Sequence, residues 1–247
     1  MYPLALGKLL SQFERLKNLG PNEQGKDYFV GNLCGQYAGL ERAMHKAGFN
    51  PYQDRLFTVG NLIDYGQDSL KVLALLNRPW FYPVLGIHEL IMLDALQSGH
   101  YLNWYTEGGQ WAFDDNIGLK YPLEKASKAL LKLPLAYLIT QKKGHKIGVI
   151  SSFSPKHFSA EAFAKANLNT LFRCLTCQDA PKQKTTFHQE VDVIVCGGPP
   201  AKAPWARGNV VGLNTGAHFL PEKGKLALFK RKKLLKLIEK QSSFSAF

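Results

Sequence analysis

The chain has 247 residues, 45% hydrophobic, 12% aromatic and 20% charged, a composition that suits one α/β domain or two small ones and excludes a disordered chain. Its net charge of +12 is mainly a tail property, because Lys223, Lys225, Lys230, Arg231, Lys232, Lys233, Lys236 and Lys240 face the single acid Glu239 between residues 223 and 240. Cys34, Cys174, Cys177 and Cys196 are too few for a disulfide framework, no run approaches the ~20 apolar residues of a membrane span, and Met1-Tyr2-Pro3 lacks a signal-peptide pattern, so a cytoplasmic protein with reduced thiols is expected.

Leu6, Leu9, Leu10, Phe13, Leu16 and Leu19 recur at helical spacing before Gly20-Pro21, which predicts an amphipathic helix in an extension covering residues 1–26. A repeated unit of short apolar strand, glycine-flanked loop and helix follows. Tyr28-Phe29-Val30 runs into Gly31 to Gly35, Leu56 to Val59 into Gly60 to Gly66, and Phe81 to Leu85 into Gly86, each followed by a helical pattern. Three such units in succession predict neighbouring strands whose C-terminal loops share one sheet edge, where a site belongs. After a helical stretch at Leu123 to Leu131, strands are predicted at 135–140, 146–150, 191–196, 210–213 and 226–229, enough for a second sheet packed on the first. The Cys174-x-x-Cys177 pair has no second pair at zinc-site spacing.

The loops read Gly31-Asn32-Leu33-Cys34-Gly35, Gly60-Asn61-Leu62-Ile63-Asp64-Tyr65-Gly66 and Gly86-Ile87-His88-Glu89. This frame resembles the bacterial and phage branch of the calcineurin-like serine/threonine phosphatases, whose loops read Gly-Asp-x-His-Gly, Gly-Asp-x-x-Asp-Arg-Gly and Gly-Asn-His-Glu. The resemblance is collinear over residues 28–230 and dense over 28–96. It implies an α/β calcineurin-like metallophosphatase fold of two packed mixed sheets flanked by helices in αββα layers, with a body over 27–230 and a basic helix or tail over 231–247.

In that family two metal ions activate a bridging hydroxide for attack on phosphorus. The resemblance places the family's ligands at Asn32, Cys34, Asn61, Ile87, Ser151 and Gly198, and none of the six is the family's residue. No metal and no other cofactor is therefore expected. Asp64 and His88 match the family's acid dyad, and Arg173 falls where a phosphate-clamping arginine often stands, so His88 and Arg173 are the candidate phosphate contacts. His88, His218 and Cys34 are the one alternative donor set that shares the sheet edge.

From the missing ligands the sequence alone predicts a non-catalytic pseudophosphatase that serves as a scaffold for a protein partner, phosphorylated or acidic. The alternatives are an active phosphoesterase with a non-standard site and a nucleic-acid accessory factor. The latter would work through Lys230, Arg231, Lys232, Lys233 and Lys236, which lead a short amphipathic helix beyond the body. Removal of residues 230–247 is expected to leave folding intact.

Overall fold

The structure, a computed structural model, describes residues 4–113, 120–176, 187–219 and 225–244. Period-two alternation of strand side chains builds its layers. In β2 (Asp27–Val30), Phe29 points to one face while Tyr28 and Val30 point to the other. In β7 (Val193–Cys196), Val193 and Val195 turn one way and Ile194 and Cys196 the other.

A four-stranded sheet runs in the order β10 (Leu228–Lys230), β2, β3 (Arg55–Thr58), β4 (Phe81–Pro83). Strands β2, β3 and β4 are parallel neighbours, as three successive strand–helix units require, and β10 pairs antiparallel with β2. The second sheet has six strands in the order β1 (Lys17–Leu19), β5 (Ala136–Thr140), β6 (Lys146–Ile150), β7, β9 (Val210–Gly212), β8 (Trp205–Arg207). Here β6, β7 and β9 are the parallel run. Phe29, Phe57, Val59, Ile147, Val195 and Val211 interlock between the sheets. The expected two-sheet α/β architecture is present.

Helices cover the outer faces. On the four-stranded sheet lie α1 (Leu4–Leu10), α2 (Tyr37–Ala47), α3 (Ser69–Ala74), α4 (Ile87–Ser98), α5 (Leu102–Thr106) and α6 (Lys120–Leu130), which share a core with Tyr28, Val30 and Leu56. Outside the six-stranded sheet, Phe163 of α7 (Ala160–Lys165) and Cys174 of α8 (Leu168–Leu175) pack with Ile150 and Ile194.

Two expectations change. The N-terminal helix ends at Leu10 rather than near Leu19, and Lys17–Leu19 joins β5 as a parallel edge strand. A three-residue strand is too short for alternation to be recognised, so the leucine spacing there mimicked a longer helix. At the other end, α9 (Arg231–Phe244) is not an appendage. It contacts β8 and β9 of one sheet and β10 and β2 of the other, with Leu234 fully buried in the inter-sheet core. Two of its flanking cations also lie over aromatic rings, Lys230 over Tyr28 at 4.8 Å and Lys233 over Phe229 at 4.0 Å. No helix of the described residues is long and apolar enough to cross a membrane.

Candidate active site

Six parallel strands, three from each sheet, deliver their C-terminal loops to one edge. Asn32 and Cys34 follow β2, Asn61 and Tyr65 follow β3, Ile87 and His88 follow β4, Ser151 follows β6, Gly198 follows β7, and Asn214 and His218 follow β9. All ten line one pocket of about 240 Å³, with Leu175, Thr176 and Pro200. The six positions singled out from the sequence therefore meet around His88. Arg173 does not: it lies on α8, whose end offers Leu175 and Thr176 to the wall instead, so the expected phosphate contact from Arg173 is not made by the described lining. Cys174 is buried on the same helix, which pushes its thiol up to about 12, and Cys177 lies outside the described residues.

The chain is bent sharply here. Of five non-glycine residues with positive φ among the described ones, four are at this edge: Cys34 (47°), Asn61 (48°), Asp64 (72°) and Tyr65 (62°). Such residues cost on the order of 1–3 kcal/mol each and persist only where other contacts over-determine them. For the loop that holds Asn61, Glu89 supplies those contacts. Fully buried at the start of α4, its carboxylate accepts hydrogen bonds from the backbone N–H groups of Leu62 (2.7 Å), Asn61 (2.9 Å), Gly86 (2.9 Å) and Ile63 (3.3 Å). Burial raises its pKa against the opposing pull of the His88 charge and these donors. Sequence reading matched Glu89 to a motif but missed this role.

Asp64, also fully buried, holds His88 from behind. Its Oδ2 lies 2.9 Å from His88 Nδ1, and its Oδ1 accepts from the indole N–H groups of Trp111 (2.8 Å) and Trp104 (3.2 Å). Burial works against the imidazolium, but the hydrogen bond and charge of Asp64, with Glu89 and Glu107 behind it, prevail and set the His88 pKa above the ordinary histidine value. His218 is shifted the other way, first by burial and then by the His88 charge. The Tyr65 ring stands between them, 5.3 Å from the His88 ring and 5.7 Å from that of His218. Two imidazoles shifted in opposite directions thus share one pocket.

No family model matches the chain. A serine/threonine-protein phosphatase 2 of Escherichia coli (strain K12) is 44% identical over 89 residues, 36% of this chain and 41% of that protein. A symmetrical bis(5'-nucleosyl)-tetraphosphatase of Dechloromonas aromatica is 36% identical over 74 residues, 29% of this chain and 27% of that protein. A crystal structure provisionally identified as a diadenosine tetraphosphatase superposes with a TM-score of 0.63 at 19% identity, over 88% of this chain and 98% of that one. The chain adopts the calcineurin-like phosphatase fold, and over these stretches its sequence is similar to proteins named phosphatases. Its matches span about two fifths or less of the curated relatives' length. The expectation of a chain without catalysis is corrected by these relatives: they are named phosphatases, and the names point to an enzyme.

Whether this pocket can hold metal is a matter of its donors. A pair of dications needs anionic oxygens and imidazoles. At five of the six positions where the resemblance puts ligands the pocket presents two carboxamides, a hydroxyl, an aliphatic chain and a glycine, and at the sixth the thiol of Cys34 is held protonated by burial first and then by the charges of Glu89 and Asp64. His88, His218 and Cys34 do come together, yet among the described residues no group of three or more His, Cys, Asp or Glu is placed to hold a metal ion. The residues present do not fit a dinuclear centre.

Proposed function

We propose that the chain hydrolyses a phosphoester at this pocket, with His88 as general acid and His218 as general base. The 2.9 Å contact between Asp64 and His88 carries the reading, because a carboxylate hydrogen-bonded to the imidazole favours its protonated form at the pocket wall. In the proposed step His218 takes a proton from water as the water oxygen bonds to phosphorus. The P–O bond to the leaving group breaks, and the leaving oxygen takes the proton of His88, giving an alcohol and inorganic phosphate.

The names of the relatives support a serine or threonine phosphoester or a nucleotide polyphosphate as substrate. The volume favours recognition of the phosphoryl group itself: about 240 Å³ is below the roughly 300–1,000 Å³ of pockets that enclose a drug-sized ligand. The test is steady-state hydrolysis of p-nitrophenyl phosphate and of a phosphothreonine peptide. His88→Gln is expected to lower kcat by about 10²–10⁴-fold, with His218→Gln within the same range. A wild-type rate no greater than the blank ends the proposal.

A further inference from the structure

We infer that the exposed lysine row of α9, with Arg207 on the edge strand β8 that this helix contacts, binds the phosphodiester backbone of a nucleic acid without reading its sequence. This surface is separate from the candidate active site, because no residue of α9 or β8 lines that pocket.

Three observations carry it. The first is the division of α9 into two faces. With about 100° of rotation per residue, Lys232, Lys236, Lys240 and Lys233 fall within one arc of roughly 100°, on the side away from Leu234 and Ile238. All four lysines are exposed, whereas Leu234 is fully buried and Leu237 and Ile238 pack on the inter-sheet core. Lys232, Lys236 and Lys240 follow one another at every fourth position, a row of three cations about 12 Å long.

The second is the lack of acid around that row. The described residues of 193–238, which include β7, β8, β9, β10 and the first part of α9, contain eight lysines and arginines and no aspartate or glutamate. Of the strands that α9 contacts, β2 brings one acid, Asp27, and both of its oxygens accept from Arg55, at 2.7 and 2.8 Å. Asp192, close enough to Arg231 to feel its charge, is held by His145 at 3.1 Å and by the Lys146 N–H at 2.6 Å. Glu239 is the one acid of the helix, and among the described residues no ion pair engages Lys232, Lys236 or Lys240. The field above this face is therefore positive and uncompensated.

The third is what the helix has left to offer. A helix that lies in a membrane surface buries its apolar face among the lipids, and here that face is already spent on the protein core. What remains is a line of hydrated point charges on flexible stems, which suits a regular line of phosphates better than the scattered carboxylates of a protein surface.

The experiment is a fluorescence anisotropy titration of the full chain into a labelled oligothymidylate of about 20 nucleotides. Saturable binding with a Kd of roughly 10⁻⁴–10⁻⁶ M near physiological salt is expected, weakening as salt is raised. Lys232→Gln, Lys236→Gln and Lys240→Gln combined in one chain should weaken it by at least about tenfold and flatten the slope of log K against log salt by about 2, at about 0.7 per lysine. These side chains are exposed, so the thermal melt of this variant should match the wild type, which deletion of the helix with its buried Leu234 would not allow. A second variant with Lys46→Gln, Lys125→Gln and Lys128→Gln, exposed lysines of α2 and α6, changes the net charge equally and should keep affinity within about twofold, because charges beyond a Debye length are screened. Absence of binding, an equal loss in the second variant, or tighter binding to phosphatidylserine–phosphatidylcholine vesicles or to polyglutamate than to the oligonucleotide would overturn the inference.

Discussion

Asp64 is the residue on which the chemistry of the pocket turns. Its carboxylate has three hydrogen-bond partners: the imidazole of His88 and the indole N–H groups of Trp104 and Trp111. Asp64→Asn preserves the shape and removes the charge that raises the His88 pKa. The imidazole resonances of His88, followed by NMR, should therefore titrate at lower pH in the variant than in the wild type. The sign for stability follows from linkage: a folded-state pKa raised above the unfolded value of about 6.5 contributes stability that is complete below that value and is lost as pH rises through the folded one. The stability gap between wild type and Asp64→Asn should accordingly be wider at pH 6 than at pH 9. An unchanged His88 titration would show that Asp64 does not control it.

At the level of elements, the site is a joint between the first turn of α4 and the loops after β2 and β3. Glu89 ties that joint from its position in α4, and its loss should be felt as lost stability. Glu89→Gln replaces one acceptor oxygen with an NH₂ group facing N–H donors, leaving buried amides unpaired. A cost of about 2–4 kcal/mol is expected, since removing a charged acceptor leaves desolvated donors unsatisfied. Urea unfolding measures it, and a midpoint within error of wild type would mean that the bent loops hold themselves. The same joint shows the reach of sequence reading. The three βα units were legible because glycine turns and apolar strands are local signals, and the positions of Asn32, Asn61 and His88 sit at fixed offsets from those glycines. β1 and β8 were not legible, because three residues carry too little alternation to register.

Across the whole molecule, the pocket exists only because two sheets bring their parallel runs to a common edge, and α9 contacts both of them. Leu234 is the apolar anchor of that clasp, and Leu234→Ala should cost about 2–5 kcal/mol, the range for truncating a buried leucine. Deletion of 230–247, expected from sequence alone to leave folding intact, should instead lower the unfolding midpoint further, because Leu237 and Ile238 leave the inter-sheet core together with Leu234. A truncated chain that melts like the full one would restore the earlier view of the tail.

By itself the sequence determined the family frame, the two-sheet class and the identities of the residues that stand at the strand ends, because all of these are written in local spacing. The tertiary structure decided which of them act together. Trp104 and Trp111 reach Asp64 across 40 and 47 residues, and His218 arrives at the His88 pocket from the other sheet. Periodicity states that a face is apolar without naming what it meets, and a hydrogen bond between distant segments leaves no trace in either one. Only the packing of the two sheets turns six replaced residues from a list of missing ligands into the wall of a pocket built around an imidazole.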